Sequence, residues 1–152
     1  MKISSSEFTD LGTQLILPIF ENTKKAPNNS LNGLNRSQRR LVRDVLVSGG
    51  FEGKKGDRMS LWTPGCNIIL VGMGDREGMS HKIARNTGAR LISSLSKKKG
   101  TDLTVRFTTS WNGDRMVDFA EGMMLRDYEF LEHQEKPDDH ISEEWKVDFQ
   151  AS

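Results

Sequence analysis

Apolar residues along this chain fall into short runs divided by glycine, proline and asparagine, and the spacing inside each run predicts its element. Gln14–Phe20 (QLILPIF) and Asn67–Val71 are near-continuous apolar stretches, the pattern of strands buried on both faces. Pro18 inside the first of them predicts an edge, a bulge or the strand's end, because it has no N–H to give a neighbour. Asp57–Trp62, Asp102–Phe107 (DLTVRF) and Glu144–Phe149 (EWKVDF) predict three further strands. Helical spacing appears three times. Over Arg36–Val47 it gathers Leu41, Val42, Val45 and Leu46 on one side, with Arg36, Arg39, Arg40 and Arg43 on the other. From Ser80 it aligns Ile83, Ala84, Gly88, Leu91, Ile92 and Leu95, with Lys97, Lys98 and Lys99 suiting the negative end of the helix dipole. Over Asp114–Asp127 it supplies Met116, Val117, Phe119, Ala120, Met123 and Met124.

The remaining stretches predict connections. Residues 1–13 are polar and read as a lead-in, 21–33 (ENTKKAPNNSLNG) as a loop, and Glu132–Ser142 as a polar connector; Ser48-Gly49-Gly50 and Gly100 end helices. The order is therefore β-α-β-β-α-β-α-β. It predicts an α/β fold in which a mixed sheet is sandwiched between helices, organised around the strand and glycine turn at Asn67–Gly74.

Composition changes this picture little. At 152 residues the simplest organisation is one domain, from residue 14 to 152, and a net charge of +1 gives no global case for nucleic acid or an anionic membrane. A single cysteine, Cys66, excludes an internal disulfide framework and fits a buried, inert thiol in a reducing cytosol. The first apolar run is far shorter than the ~20 residues that a membrane span needs.

Candidate chemistry is sparse. Gly72-Met73-Gly74, after a strand and before a helix, is the stretch most able to cradle phosphate with backbone amides, as a cofactor-binding turn would. The third glycine of a dinucleotide fingerprint is replaced by Glu77, however, and no acidic residue ends the next strand. Gly49–Lys55 lacks P-loop spacing. His81 stands alone on a helix, and His133 and His140 lie in the polar connector, so no metal ligands cluster. Ser80 lacks the final glycine of a nucleophile elbow. The arginine stripe Arg36, Arg39, Arg40 and Arg43 is a candidate for phosphate contacts or for acidic groups across an interface.

Several of these segments, taken in order, resemble one family. Gln14–Glu21, Phe51-Glu52-Gly53-Lys54-Lys55-Gly56-Asp57, Leu61, Pro64-Gly65 and Ile69-Leu70-Val71-Gly72-Met73-Gly74 are similar to the N-terminal domain of leucyl (cytosol) aminopeptidases. So are the helix Lys82–Leu95 and the segment Phe119–Phe130. The resemblance implies a macro-domain-like fold for residues 14–149 and a separate C-terminal catalytic domain that this chain lacks. It implies that two divalent metals, Mn or Zn, are held there by lysine and carboxylates, including an Asn-Thr-Asp-Ala-Glu-Gly-Arg segment. Ala120-Glu121-Gly122 is not that segment, since Met123 follows it. On this reading the chain has no catalytic or metal-ligating residue of its own. It would serve assembly or regulation in a cytoplasmic homo-oligomer, a hexamer in the parent protein. Two other readings stay open: a free-standing macro-like module taking an ADP-ribose-type ligand at Gly72–Gly74, and DNA binding through the arginine helix.

Overall fold

A computed structural model describes residues 1–6, 10–26, 28–95, 100–107, 111–132 and 144–151. The strands are β1 (Lys2–Ser6), β2 (Gln14–Phe20), β3 (Arg58–Thr63), β4 (Cys66–Gly74), β5 (Asp102–Phe107) and β6 (Lys146–Ala151). The helices are α1 (Arg36–Ser48), α2 (His81–Ser94) and α3 (Gly113–Glu132). Six strands form one mixed sheet in the order β1-β6-β5-β2-β4-β3, parallel throughout except for β3, which runs antiparallel to β4. The α/β sandwich expected from the alternating pattern is what forms. Lys97–Lys99, His133, His140 and most of the Glu132–Ser142 connector lie outside the described residues.

Strand periodicity divides the core into two layers. Leu15, Leu17, Ile19, Ile68 and Leu70 face α1, where they meet Val42 and Leu46. Ile16, Ile69, Val71, Leu103, Val105 and Phe107 face α2 and α3, where they meet Leu91, Ile92, Phe119 and Met123. Successive side chains of a strand point to opposite faces, so one uninterrupted apolar run supplies both layers. Helix α1 starts with a capping box: the Asn35 side chain accepts from the Gln38 amide, and the Gln38 side chain accepts from the Asn35 amide. Helices α2 and α3 cross with backbone against backbone. A Cβ on Gly88 would lie 2.1 Å from the Phe119 carbonyl oxygen, and one on Gly122 would lie 1.9 Å from that of Arg85.

Three expectations are corrected. The lead-in contains strand β1, which pairs with β6 from Lys2 opposite Lys146 to Ser6 opposite Gln150. An edge strand needs only backbone pairing on one side, so its KISSS sequence carried no apolar signal. Of the roles expected for Pro18 the edge is excluded, because β2 is central, between β4 and β5, while the bulge agrees with the register shift between Ile19 and Phe20 in the pairing with β4. Finally, Val117 and Met124 of α3 turn outward, 56% and 44% exposed, as does Leu41 of α1.

On the α1 face the β5–β6 half of the sheet is polar, and loops roof it. Arg106 is fully buried there, its Nε donating to Gln150 Oε1 at 2.8 Å and its guanidinium donating to the carbonyls of Ser30 (3.0 Å) and Asn32. The Gly12 amide donates to Thr104 Oγ1 (2.8 Å) and the Gln150 side chain to the Asp10 carbonyl (3.1 Å). Burial pulls the Arg106 guanidinium below its ordinary value, against the opposing influence of Cys66 and Asp148.

Candidate functional site

The carboxyl ends of β2, β4 and β5 lie along one edge of the sheet, where an α/β protein of this kind places its ligands. The sequence singled out Gly72-Met73-Gly74 at this edge as a tight glycine turn, and the turn is corrected. These residues make no turn; they are the last three of β4. The Gly72 amide donates to the Asp57 carbonyl (2.7 Å) and the Gly74 amide to the Gly53 carbonyl (2.9 Å). The loop 51–57 lies so close that a Cβ on Gly72 would sit 2.0 Å from the Lys54 carbonyl oxygen. Amides already committed to backbone carbonyls cannot also cradle a phosphate, so this end is sealed.

One strand over, the edge is open. Among the described residues, β2 and β5 pair through Gln14–Leu103, Leu15–Thr104 and Ile16–Val105, and the second half of β2 has no partner on that side. From β2 the chain moves by way of α1 to β3 and β4; from β5 it moves the other way, by way of α3, to β6. The gap between β2 and β5 is thus the point where the winding of the sheet reverses. A cavity of about 200 Å³ sits there, lined by Phe20, Arg76, Met79, Trp111, Asn112 and Arg115. A second, of about 210 Å³, adjoins it through Phe20 and Arg76 and runs along Leu17–Glu21 to Lys25 and Ser30.

Local chemistry positions each group. Asn112 caps α3, its side chain accepting from the Arg115 amide (2.9 Å) and its carbonyl from that of Met116 (3.2 Å). Trp111 is buried in an aromatic cluster, its ring centroid 5.3 Å from that of Phe20, 4.8 Å from Phe107 and 5.8 Å from Phe119. Its indole Nε1 has no hydrogen-bond partner among the described residues.

Sequence reading also missed a polar knot beside this cavity. His81, expected to stand alone, meets Asp118 of α3: its Nδ1 lies 2.6 Å from Asp118 Oδ2. Arg115 donates to the same oxygen (2.8 Å) and approaches His81 Nε2 at 3.0 Å. A guanidinium only donates, so Nε2 accepts and Nδ1 carries the proton given to Asp118. Arg85 reaches Asp118 at 3.9 Å and Glu121 at 3.1 Å. The knot ties the start of α2 to the start of α3. No sequence signal could reveal it, because it depends on the register of two helices set by Gly88 and Gly122.

The arginine stripe forms on α1 as expected, but part of it is occupied. Arg39 Nε donates to the Leu34 carbonyl (3.0 Å) and Arg40 pairs with Asp44 at 3.9 Å, while Arg36 and Arg43 are exposed. Cys66 is buried, and burial pushes its thiol up, against the lowering influence of a backbone hydrogen bond with Leu15 and of the Arg106 charge. Among the described residues no group of three or more His, Cys, Asp or Glu side chains could hold a metal, and no helix is long and apolar enough to cross a membrane.

Comparison with known proteins agrees with this architecture. A solved structure of a tomato leucine aminopeptidase mutant superposes on the whole of this chain, covering 32% of its own length, with a TM-score of 0.67 at 17% identity. The bottromycin maturation enzyme in complex with Mn covers 90% of this chain and 26% of its own, with a TM-score of 0.50 at 16% identity. At such identities the likeness is one of fold. In sequence, a probable cytosol aminopeptidase of Cyanothece sp. is 27% identical over 143 residues, 88% of this chain and 29% of that protein. Another, from Desulfotalea psychrophila, is 24% identical over 141 residues, 84% and 27% respectively. The chain thus spans less than a third of the curated relatives it matches. Residues 16–137 match the family described as the cytosol aminopeptidase family, N-terminal domain, and the chain belongs to that family.

Proposed function

We propose that this chain is a non-catalytic assembly and regulatory domain of an aminopeptidase that removes N-terminal residues from peptides. The observation that carries the reading is the match of residues 16–137 to the family's N-terminal domain, within relatives more than three times as long as the matched part. Hydrolysis, in this reading, belongs to the remainder of the parent protein. There two divalent metals, Mn or Zn, supply a polarised carbonyl and an activated water.

The outer face of α3 supports a packing role. Val117, Met124, Leu125 and Tyr128 are 56%, 44%, 54% and 60% exposed, an apolar surface suited to the catalytic domain or to a neighbouring subunit of a cytoplasmic hexamer. Arg36 and Arg43, exposed on α1, furnish a charged contact face toward an acidic neighbour. The layered arrangement is read as macro-domain-like.

The test is hydrolysis of leucine p-nitroanilide by the purified chain with added Mn²⁺ or Zn²⁺. No turnover above the metal-only blank is expected, and turnover by pure protein would overturn the proposal.

A further inference from the structure

We propose that the solvent face shared by α2 and α3 docks an acidic amphipathic helix. Its apolar stripe lies on Val117, Met124, Leu125 and Tyr128, and its carboxylates meet Lys82, Arg85 and Arg90. This names the partner for the packing face described above and rests on that packing role.

The apolar half of the surface belongs to α3. Val117, Glu121, Met124, Leu125 and Tyr128 follow one another at helical spacing, so they form one line along the helix. The four apolar members are between 44% and 60% exposed. The core does not need them, because Phe119 and Met123 already fill the inner face of the same helix. From Val117 to Tyr128 the line is about 16 Å long, some three turns of a partner helix. An exposed apolar stripe where a surface helix is ordinarily polar marks a contact face.

The charged half belongs to α2, which runs beside it. Arg85 lies 3.1 Å from Glu121, and Arg126 Nε donates to Ser93 Oγ at 2.8 Å, so the outer line of α2 flanks the stripe. From His81 to Ser94 that helix contains no acidic residue, and it exposes Lys82, Arg85 and Arg90. Arg58 of β3 donates to Ser94 Oγ and adds a further cation to this side. A shallow cavity of about 460 Å³, lined by Ala89, Arg90, Ser93 and Arg126 among others, opens along the line. Within the α3 stripe the opposing charge is small: Asp118 and Asp127 are buried, and Glu121 is held by Arg85.

Charge selects among the possible occupants. An apolar line beside a basic one is complementary to a helix with leucine-like residues on one stripe and carboxylates on its flank. A second copy meeting through the same two helices would bring another basic line instead of an acidic one. An anionic membrane would have to take Glu121 into its apolar boundary together with Val117 and Met124, which disfavours it.

The probe is a designed peptide of about 18 residues, long enough to span the stripe, with leucines on one face and glutamates beside them. In ¹⁵N-labelled protein at low ionic strength it is expected to shift the backbone amides of 82–93 and 117–128 saturably, leaving those of α1 in place. Leu125→Gln, at an exposed position, is expected to weaken binding about fivefold, the value of a half-buried leucine. Arg90→Glu is expected to weaken it about tenfold and to flatten its salt dependence, because attraction becomes repulsion. Amides unmoved at about 1 mM peptide overturn the proposal, since the implied affinity would be negligible. So does equal binding by a peptide with lysine in place of each glutamate. Concentration-dependent shifts of the same amides without peptide would assign the face to a second copy, and shifts with phosphatidylglycerol vesicles but not with peptide would assign it to a membrane; either result overturns the acidic helix. None of these outcomes alters the hydrolysis assay, which tests the non-catalytic reading separately.

Discussion

Two neighbouring strand ends on one edge of the sheet are finished in opposite ways. At the end of β4, glycine lets the loop 51–57 close down until backbone touches backbone, and the amides of Gly72 and Gly74 are consumed by carbonyls of that loop. At the ends of β2 and β5 the strands part, and side chains with spare donors border the gap. The glycine-rich stretch is the one that looks like a ligand site in sequence; the arginines, tryptophan and phenylalanine look like nothing in particular. What separates them is the hydrogen-bond account. Glycine permits close approach, and whether a phosphate or the protein's own chain makes that approach is decided by the neighbouring loop.

The comparison breaks most visibly at Gly72. Gly72→Ala places a methyl group 2.0 Å from the Lys54 carbonyl oxygen, an obstruction made of backbone that cannot rotate away. A loss of about 4 kcal/mol or more is expected, enough to leave a domain of ordinary stability largely unfolded in a urea titration. Gly113→Ala, beside the open cleft, meets nothing within 4 Å and is expected to leave the urea midpoint nearly unchanged. Equal effects would mean that the two ends are not built differently.

A second test concerns the polar half of the α1 face. Arg106→Leu keeps bulk but strips partners from Gln150 Oε1 and the carbonyls of Ser30 and Asn32 in a buried setting. The expected cost is about 3 kcal/mol by chemical denaturation, from the loss of the hydrogen bonds that a buried guanidinium donates. A smaller cost would mean that water enters readily beneath the 28–34 loop.

The smallest effect lies at the other end of β4. Because burial raises the Cys66 thiol, the unfolded chain ionises first as pH climbs through the ordinary thiol range and then holds fewer protons than the native state. That contribution to stability is intact at neutral pH and falls above it. Denaturation midpoints at about pH 8 and about pH 10, on either side of the ordinary thiol value, are expected to differ less in Cys66→Val than in the parent.

How much the sequence revealed depended on which physical signal each element carries. Strands β2 and β4 declare themselves because apolar runs fill two core layers at once, and β5 because Leu103, Val105 and Phe107 alternate onto one of them. Helix α1 does so because its cap and its buried positions Val42 and Leu46 are local. Strand β1 was hidden, since an edge strand paired through its backbone needs no apolar residue. Arg106 sits in DLTVRF where an ordinary strand would expose it, and only the loop at residues 30–32 explains its burial. His81 and Asp118 are joined by the crossing of α2 and α3, a geometry that no local pattern encodes. The family resemblance was legible from motif order, whereas the open cleft was not, because it arises from strands that stop pairing.

The pairing of β1 with β6 has a consequence for the order of assembly. Lys2 lies opposite Lys146, so the first strand has no neighbour to align with until almost 150 residues have been made. A nascent chain must carry that segment unpaired through the folding of the β2–β5 centre, paying the slow closure of a very long loop at the end. The outer rim of the sheet is therefore the natural last step of folding, and the first place to look when a truncated or stalled chain aggregates.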